Sequence, residues 1–244
     1  MLMAIEHMDS VKIKACGKVN LGLDVVGQRP DGYHLVRMVM QTVDLYDDIT
    51  VTARPSSDAS GSDPMSFFIT LSCDTPGVPT DEENLAYRAA RMIAEKYSLR
   101  GQMQIDMIKR IPMAAGMAGG SADGAAVIEA MDQVYALHMS PEEKDEIALR
   151  LGADVPFCLR KGTYLAEGIG EELTKIADLR SLEMVIIKPD FGISTKWAYE
   201  ALDLLMERSE VDHPDIDALV EAVNDRDIDK MAKKMENALF SKSG

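Results

Sequence analysis

A run of small residues, IPMAAGMAGGSADGAA at positions 111–126, constrains this chain more than any other feature. It follows a strand-like segment, Gln102 to Ile111. It leads into a segment whose apolar residues Val127, Ile128, Met131, Val134 and Tyr135 are spaced as on a helix. A strand, a tight loop and a helix from about Ser121 to Ala136 are therefore predicted in succession. Small side chains let backbone N–H groups approach an anion closely, and a helix N-terminus adds roughly half a positive charge. Pro112, Met113, Ala114, Ala115, Gly116, Met117, Ala118, Gly119, Gly120, Ser121, Ala122 and Asp123 thus form a candidate phosphate cradle. Ser121 would either cap the helix or bind a phosphate oxygen. A plain connector with a serine cap fits the same pattern. Three other loops are excluded: no G-K-[ST] follows, the spacing is not G-x-G-x-x-G, and Asp123 stands where a nucleophile elbow needs its last glycine.

The elements around this loop are read from period and punctuation. Val11, Ile13 and Ala15 alternate with Lys12, Lys14 and Cys16, and Val19 to Val26 continues as strand. Arg29-Pro30-Asp31-Gly32 is a turn, followed by extended stretches at Tyr33 to Val43, Ile49 to Ala53 and Ser66 to Ser72. Residues 54–65, RPSSDASGSDPM, read as an exposed loop. Thr80 with Glu83 predicts a capping box opening a helix to about Tyr97. Ser140, Pro141 and Glu143 predict a second helix, stopped at Gly152. Beyond it the sequence predicts a short strand at Val155 to Leu159, a hairpin around Gly168 and Gly170, a strand at Met184 to Lys188, and three closing helices. Strands and helices in this order favour α+β over a regular βαβ array.

Composition narrows the function. At 244 residues and 46% apolar content the chain can bury a real core and holds one to two domains of roughly 150 residues. With 17 Met against 5% aromatics, that core leans on thioether and aliphatic packing rather than on a Met-based metal site. A net charge of -15 argues against nucleic-acid binding. Cys16, Cys73 and Cys158 are far apart and form no C-x-x-C pair, which suits a reducing cytoplasm. No signal peptide or membrane span is visible, so no membrane partner is expected.

Two further constellations carry polar chemistry. Lys18-Val19-Asn20 is followed by Asp31-Gly32-Tyr33-His34, and residues 10–43 hold five basic side chains against two acidic ones. Such a local excess would focus an anionic substrate within an acidic chain. Equally, strand lysines are usually solvated, Asp31-Gly32 suits a turn, and His34 suits a half-buried histidine. The third is Leu151-Gly152-Ala153-Asp154-Val155-Pro156. Its Asp154 is either a surface turn residue or, beside a phosphate loop, a carboxylate able to accept a proton from an attacking hydroxyl.

Together KACGKVNLGLDVVGQRPDGYH, MQTVDLYDDI, IPMAAGMAGGSADGAA and LGADVPFCLRKGTYLAEGIGEELTKI resemble the GHMP kinase superfamily over most of residues 11–200. R-P-D-G-Y-H and G-A-D-V-P-F point to its branch with a cytidine-diphosphate acceptor. The resemblance implies a two-domain α+β kinase. Residues 1–160 would form an ATP-binding domain, akin in fold to a ribosomal-protein domain, and 161–244 an incomplete C-terminal α/β domain. It implies ATP and Mg²⁺ as cofactors and CDP-methylerythritol as a small-molecule partner phosphorylated on its 2-hydroxyl, in a monomer or homodimer. Asp154 falls on the catalytic base and Lys18 on its paired lysine. Asn20, Tyr33 and His34 fall on substrate positions, with His34 facing the cytosine edge. Tyr199 aligns with an aromatic that would sandwich cytosine against Tyr33, and a core helix aromatic explains it as well. Residues 113–123 fall on the ATP phosphate loop, and Lys109 on a position near the nucleotide.

The sequence departs from the pattern in places. Cys16-Gly17-Lys18 replaces P-A-K, and Gly116-Met117-Ala118-Gly119-Gly120-Ser121-Ala122 replaces G-L-G-G-G-S-S; Ala118 can serve the loop if its φ is negative, and with Ser121 kept, binding is expected to persist. MAKKMENALF resembles the helix before a glycine-rich S-G-S-G motif, which is absent before Ser241-Lys242-Ser243-Gly244. A C-terminal truncation with an exposed sheet edge is therefore expected. Alternatives are a homoserine or mevalonate type of acceptor, a module that binds without turnover, and, last, a Ser121 hydrolase. His7, His34, His138 and His213 form no recognisable triad for that hydrolase.

Overall fold

Two long strands organise the chain. In the computed structural model, which describes residues 10–54, 67–179, 182–190, 192, 194–207 and 212–240, β1 runs Ser10–Gln28 and β2 runs His34–Arg54. The Arg29–Gly32 turn joins them: the Gly32 N–H donates to Arg29 C=O at 2.9 Å, and Gly32 takes φ +90°. The two extended stretches read separately on either side of Asp44 form one continuous β2.

Each half of β2 has its own partner. Residues 48–54 pair antiparallel with β4 (Gly101–Ile108), and residues 38–41 pair antiparallel with β5 (Thr163–Glu167). β3 (Phe67–Cys73) lies parallel to β4, and β6 (Glu172–Lys175) closes a hairpin with β5. The order is β3-β4-β2-β5-β6, with β1 paired to β2. Helices and a mixed sheet together make the fold α+β.

The chain divides into two compact units whose segments alternate along the sequence. Unit 1 holds the chain as far as Gly17, Asp44–Pro112 and Ala118–Leu159; unit 2 holds Lys18–Val43, Met113–Met117 and the chain from Arg160. In unit 1, α1 (Leu85–Lys96) packs on α2 (Gly119–Val134) and α3 (Pro141–Leu151). Gly124 makes the α1–α2 approach possible, because a Cβ there would lie 3.3 Å from the Leu85 Cβ. Ile93, Met103, Ile105, Ile128 and Met131 are buried to 1% exposure or less, each worth about 1.5–3 kcal/mol of burial. In unit 2, α6 (Ile216–Asp225) and α7 (Ile228–Lys234) set Leu219, Val223 and Met231 against Leu21 and Val39. The methionine-lined core is as expected.

Three local expectations are corrected. The first helix is capped by Asn84, whose Oδ1 accepts from the Ala86 N–H at 2.9 Å. Asp81, rather than Thr80, bonds the Glu83 N–H, so the Thr80–Glu83 box is not formed. Val155–Arg160 is a short helix, α4, rather than a strand: the Cys158 N–H returns to Asp154 C=O at 3.1 Å, and Pro156 lies in its first turn, where no N–H is missed. Residues 182–188 form no strand, and Val185 and Ile187 stand 91% and 88% exposed, since no neighbouring strand pairs with them among the described residues. Beside the hairpin strands, residues 235–238 reach β1, where the Leu23 N–H donates to Glu236 C=O at 3.0 Å. The α3 capping box of Ser140 and Glu143 is present as read. The 54–65 loop, apart from Arg54, and the Ser241–Gly244 end lie outside the described residues.

Candidate active site

The small-residue loop owes its shape to left-handed backbone. Ala114, Gly116 and Ala118 have φ of 53°, 68° and 54°. The condition of negative φ at Ala118 is thus not met: Ala118 is the α2 N-cap and enters the helix from the left-handed region. An alanine there is strained by about 1–2 kcal/mol. No side chain caps α2. Of the two readings of Ser121, cap or phosphate ligand, the cap is not formed: Ser121 lies within the first turn, because the helix begins two residues earlier at Gly119. The first-turn N–H groups of Gly119, Gly120 and Ser121 are the positive end of a 16-residue helix.

In unit 1 the root of this helix is held by buried charge. The Lys109 ammonium donates to Asp47 at 2.5 Å and Asp123 at 2.6 Å, with side-chain exposures of 7%, 0% and 3% for the three. Asp47 also accepts from the backbone N–H groups of Arg110 and Ile111, and Asp74 from that of Lys109. Burial pushes the Asp123 carboxyl up to about 7 against the pull of Lys109, and its Oδ1 is buried without a hydrogen-bond partner among the described residues. Burial also works against the Lys109 ammonium, but the two carboxylates, Asp123 foremost, hold its pKa above the ordinary lysine value. Lys109 therefore presents its ammonium to carboxylates.

In unit 2, Lys18 is 6% exposed and donates to the neutral Asn20 Oδ1 at 3.1 Å. Its backbone N–H donates to Met117 C=O at 3.0 Å, tying β1 to the loop. The other basic residues of segment 10–43 find local partners. Lys12 reaches Asp48, Lys14 lies over the Tyr46 ring, Arg29 reaches Asp31, and Arg37 reaches Glu167 and Asp217. The expected basic patch is thus largely neutralised, whereas buried Lys18 faces a neutral group.

α5 (Thr195–Glu207) completes unit 2's share of the candidate residues. Tyr199 stacks on the His34 ring at 4.4 Å and 22°, and Asp203 Oδ1 lies 2.7 Å from His34 Nε2. Tyr33 is 60% exposed, so the ring facing Tyr199 here is His34 rather than Tyr33. Asp203 escaped the sequence reading, although its i+4 spacing from Tyr199 places both on one helix face. Asp47 escaped it too, and no local signal links it to a lysine 62 residues away. Asp154, in unit 1, is half-buried between the Gly152 end of α3 and the start of α4.

Among the described residues no group of three His, Cys, Asp or Glu side chains could hold a metal ion, and no helix is long and apolar enough to cross a membrane. Asp123, the carboxylate closest to the loop in sequence, is spent on Lys109. These residues do not fit a protein-built Mg²⁺ site.

Strand, left-handed loop and uncapped helix present backbone N–H groups that suit an anion, and comparison gives the class. Residues 84–162 match the GHMP kinases N terminal domain. A homoserine kinase from Cytophaga hutchinsonii shares the fold, at TM-score 0.63 and 16% identity over 97% of this chain and 74% of that one. A crystal structure of a 4-(cytidine 5'-diphospho)-2C-methyl-D-erythritol kinase matches at TM-score 0.68 and 31% identity, over 88% of this chain and 72% of that one. The 4-diphosphocytidyl-2-C-methyl-D-erythritol kinase of Clostridium beijerinckii is 44% identical over 94% of this chain and 77% of its own length. That of Acetivibrio thermocellus is 43% identical over 95% and 77%. The chain belongs to the 4-diphosphocytidyl-2-C-methyl-D-erythritol kinase family.

Proposed function

We propose that this chain transfers the γ-phosphoryl group of ATP to the 2-hydroxyl of 4-diphosphocytidyl-2-C-methyl-D-erythritol, in the cytoplasmic non-mevalonate route to isoprenoid precursors. The observation that carries this reading is the buried Lys18 ammonium, hydrogen-bonded to a neutral amide and tied through its own backbone to the loop at Met117. A buried cation whose partner among the described residues is a neutral group is stabilised by an anion that arrives with a ligand.

In this mechanism the Asp154 carboxylate takes the proton of the acceptor hydroxyl as that oxygen attacks the γ-phosphorus. The bond from the γ-phosphorus to the β,γ-bridging oxygen breaks, and ADP leaves. Lys18 stabilises the charge spreading over the transferred group. The loop 113–123 and the start of α2 bind the phosphates through backbone N–H groups. Asn20 orients the acceptor, while Tyr33, His34 and Tyr199 bind its cytosine. Mg²⁺ would neutralise phosphate charge, and no step is assigned to it. Lys109 acts on the nucleotide side from within its carboxylate pair.

The test is ATP consumption by purified protein with Mg²⁺ and one of three acceptors: the cytidine substrate, homoserine or mevalonate. Turnover with the cytidine substrate alone is expected, and phosphorylation of homoserine or mevalonate instead would reassign the acceptor.

A further inference from the structure

His34 is constrained from two directions by one helix. Tyr199 covers a face of its ring at 4.4 Å, and Asp203, one turn further along α5, meets its Nε2 at 2.7 Å. The ring is only 13% exposed in its side chain, whereas Asp203 is 39% exposed. A carboxylate can only accept, so Nε2 bears a proton toward Asp203, and in the neutral form of the ring the lone pair is left on Nδ1. Stacking then holds the plane of that lone pair.

We infer that Asp203 is a positioning residue that sets base selectivity by fixing the His34 tautomer. The inference rests on the proposed role of His34 at the cytosine edge. A fixed acceptor pairs with the 4-amino group of cytosine. The 4-keto oxygen of uracil would set lone pair against lone pair. Sites built to hydrogen-bond one group reject an analogue lacking it far more strongly than apolar pockets reject a methylene. Asp203 itself need not touch the substrate.

The experiment uses the whole chain and two acceptors, the cytidine substrate and its uridine analogue. Wild type is expected to favour cytidine in kcat/KM by about tenfold or more. In Asp203→Ala the ratio is expected to fall several-fold, through KM for the cytidine acceptor more than through kcat, with KM for ATP little changed. Alanine is the best helix former and the site is partly exposed, so the helix is retained. Histidine ¹⁵N spectra, assigned with His34→Gln, give a readout independent of turnover: a Nε2–H pattern in wild type and a mixed pattern in Asp203→Ala. An unchanged pattern, or unchanged selectivity with a changed pattern, overturns the inference. Wild type silent on both acceptors fails the functional reading instead, while the spectra still decide whether Asp203 holds the tautomer.

Discussion

Lys109 donates to Asp123 at 2.6 Å, joining the end of β4 to the start of the helix that follows the phosphate loop. Asp47 meets the same ammonium from β2. Three elements of unit 1 therefore share one buried cation, and the entry of α2 is anchored by charge where a side-chain cap is missing.

That pair makes stability depend on pH. Asp123 titrates near 7 in the fold, pushed up by burial, against 3.8 as its ordinary value. Between these values the folded chain holds a proton that the unfolded chain has lost, so stability falls as pH rises from about 4 to about 7. Urea melts at several pH values should show this slope, and Asp123→Asn should flatten it. A slope unchanged by that substitution would place its origin elsewhere.

Asp47 accepts from Lys109 and from two backbone N–H groups, so removing it orphans the two N–H groups and leaves the buried ammonium with Asp123 alone. Asp47→Ala should cost about 3–5 kcal/mol, lowering Tm by about 10 °C. Asp47→Asn keeps an acceptor oxygen and should lose less. Thermal unfolding of both variants orders the two effects.

Ala118 carries left-handed strain that glycine would not. Ala118→Gly should stabilise the fold by about 1 kcal/mol, after allowing for the freer unfolded chain. A higher urea midpoint at unchanged slope is the expected result, and a lower midpoint contradicts the strain.

Asp154→Asn removes the proposed base while conserving shape. Turnover should drop about a thousandfold, with ATP affinity nearly unchanged by titration calorimetry. Full activity in this variant would remove Asp154 from the mechanism.

Much of the scaffold was legible because local chemistry decided it. Ser140 and Glu143 formed their box, Gly168 and Gly170 turned their hairpin at φ 70° and 111°, and the strand–loop–helix around Gly119 stood where its glycines put it. Failures arose where composition suited two conformations or where a strand partner was missing. The apolar run Val155–Leu159 suits strand or helix alike, and the return of the Cys158 N–H to Asp154 made it helix. Residues 184–188 carry a strand composition that finds no partner among the described residues.

By itself, then, the sequence determined the periodic elements, the methionine-rich core, the loop and the family to which the chain belongs, because each is written in side-chain size, period or ordered motifs. Only tertiary structure decided that Asp47 and Asp123 share Lys109, that Asp203 grips His34, and that Ala118 is left-handed. Those relations depend on partners 14 to 169 residues apart, or on the angle at which a helix leaves a loop. No residue carries such information alone, since a carboxylate looks the same in sequence whether it meets water, a backbone amide or a buried ammonium.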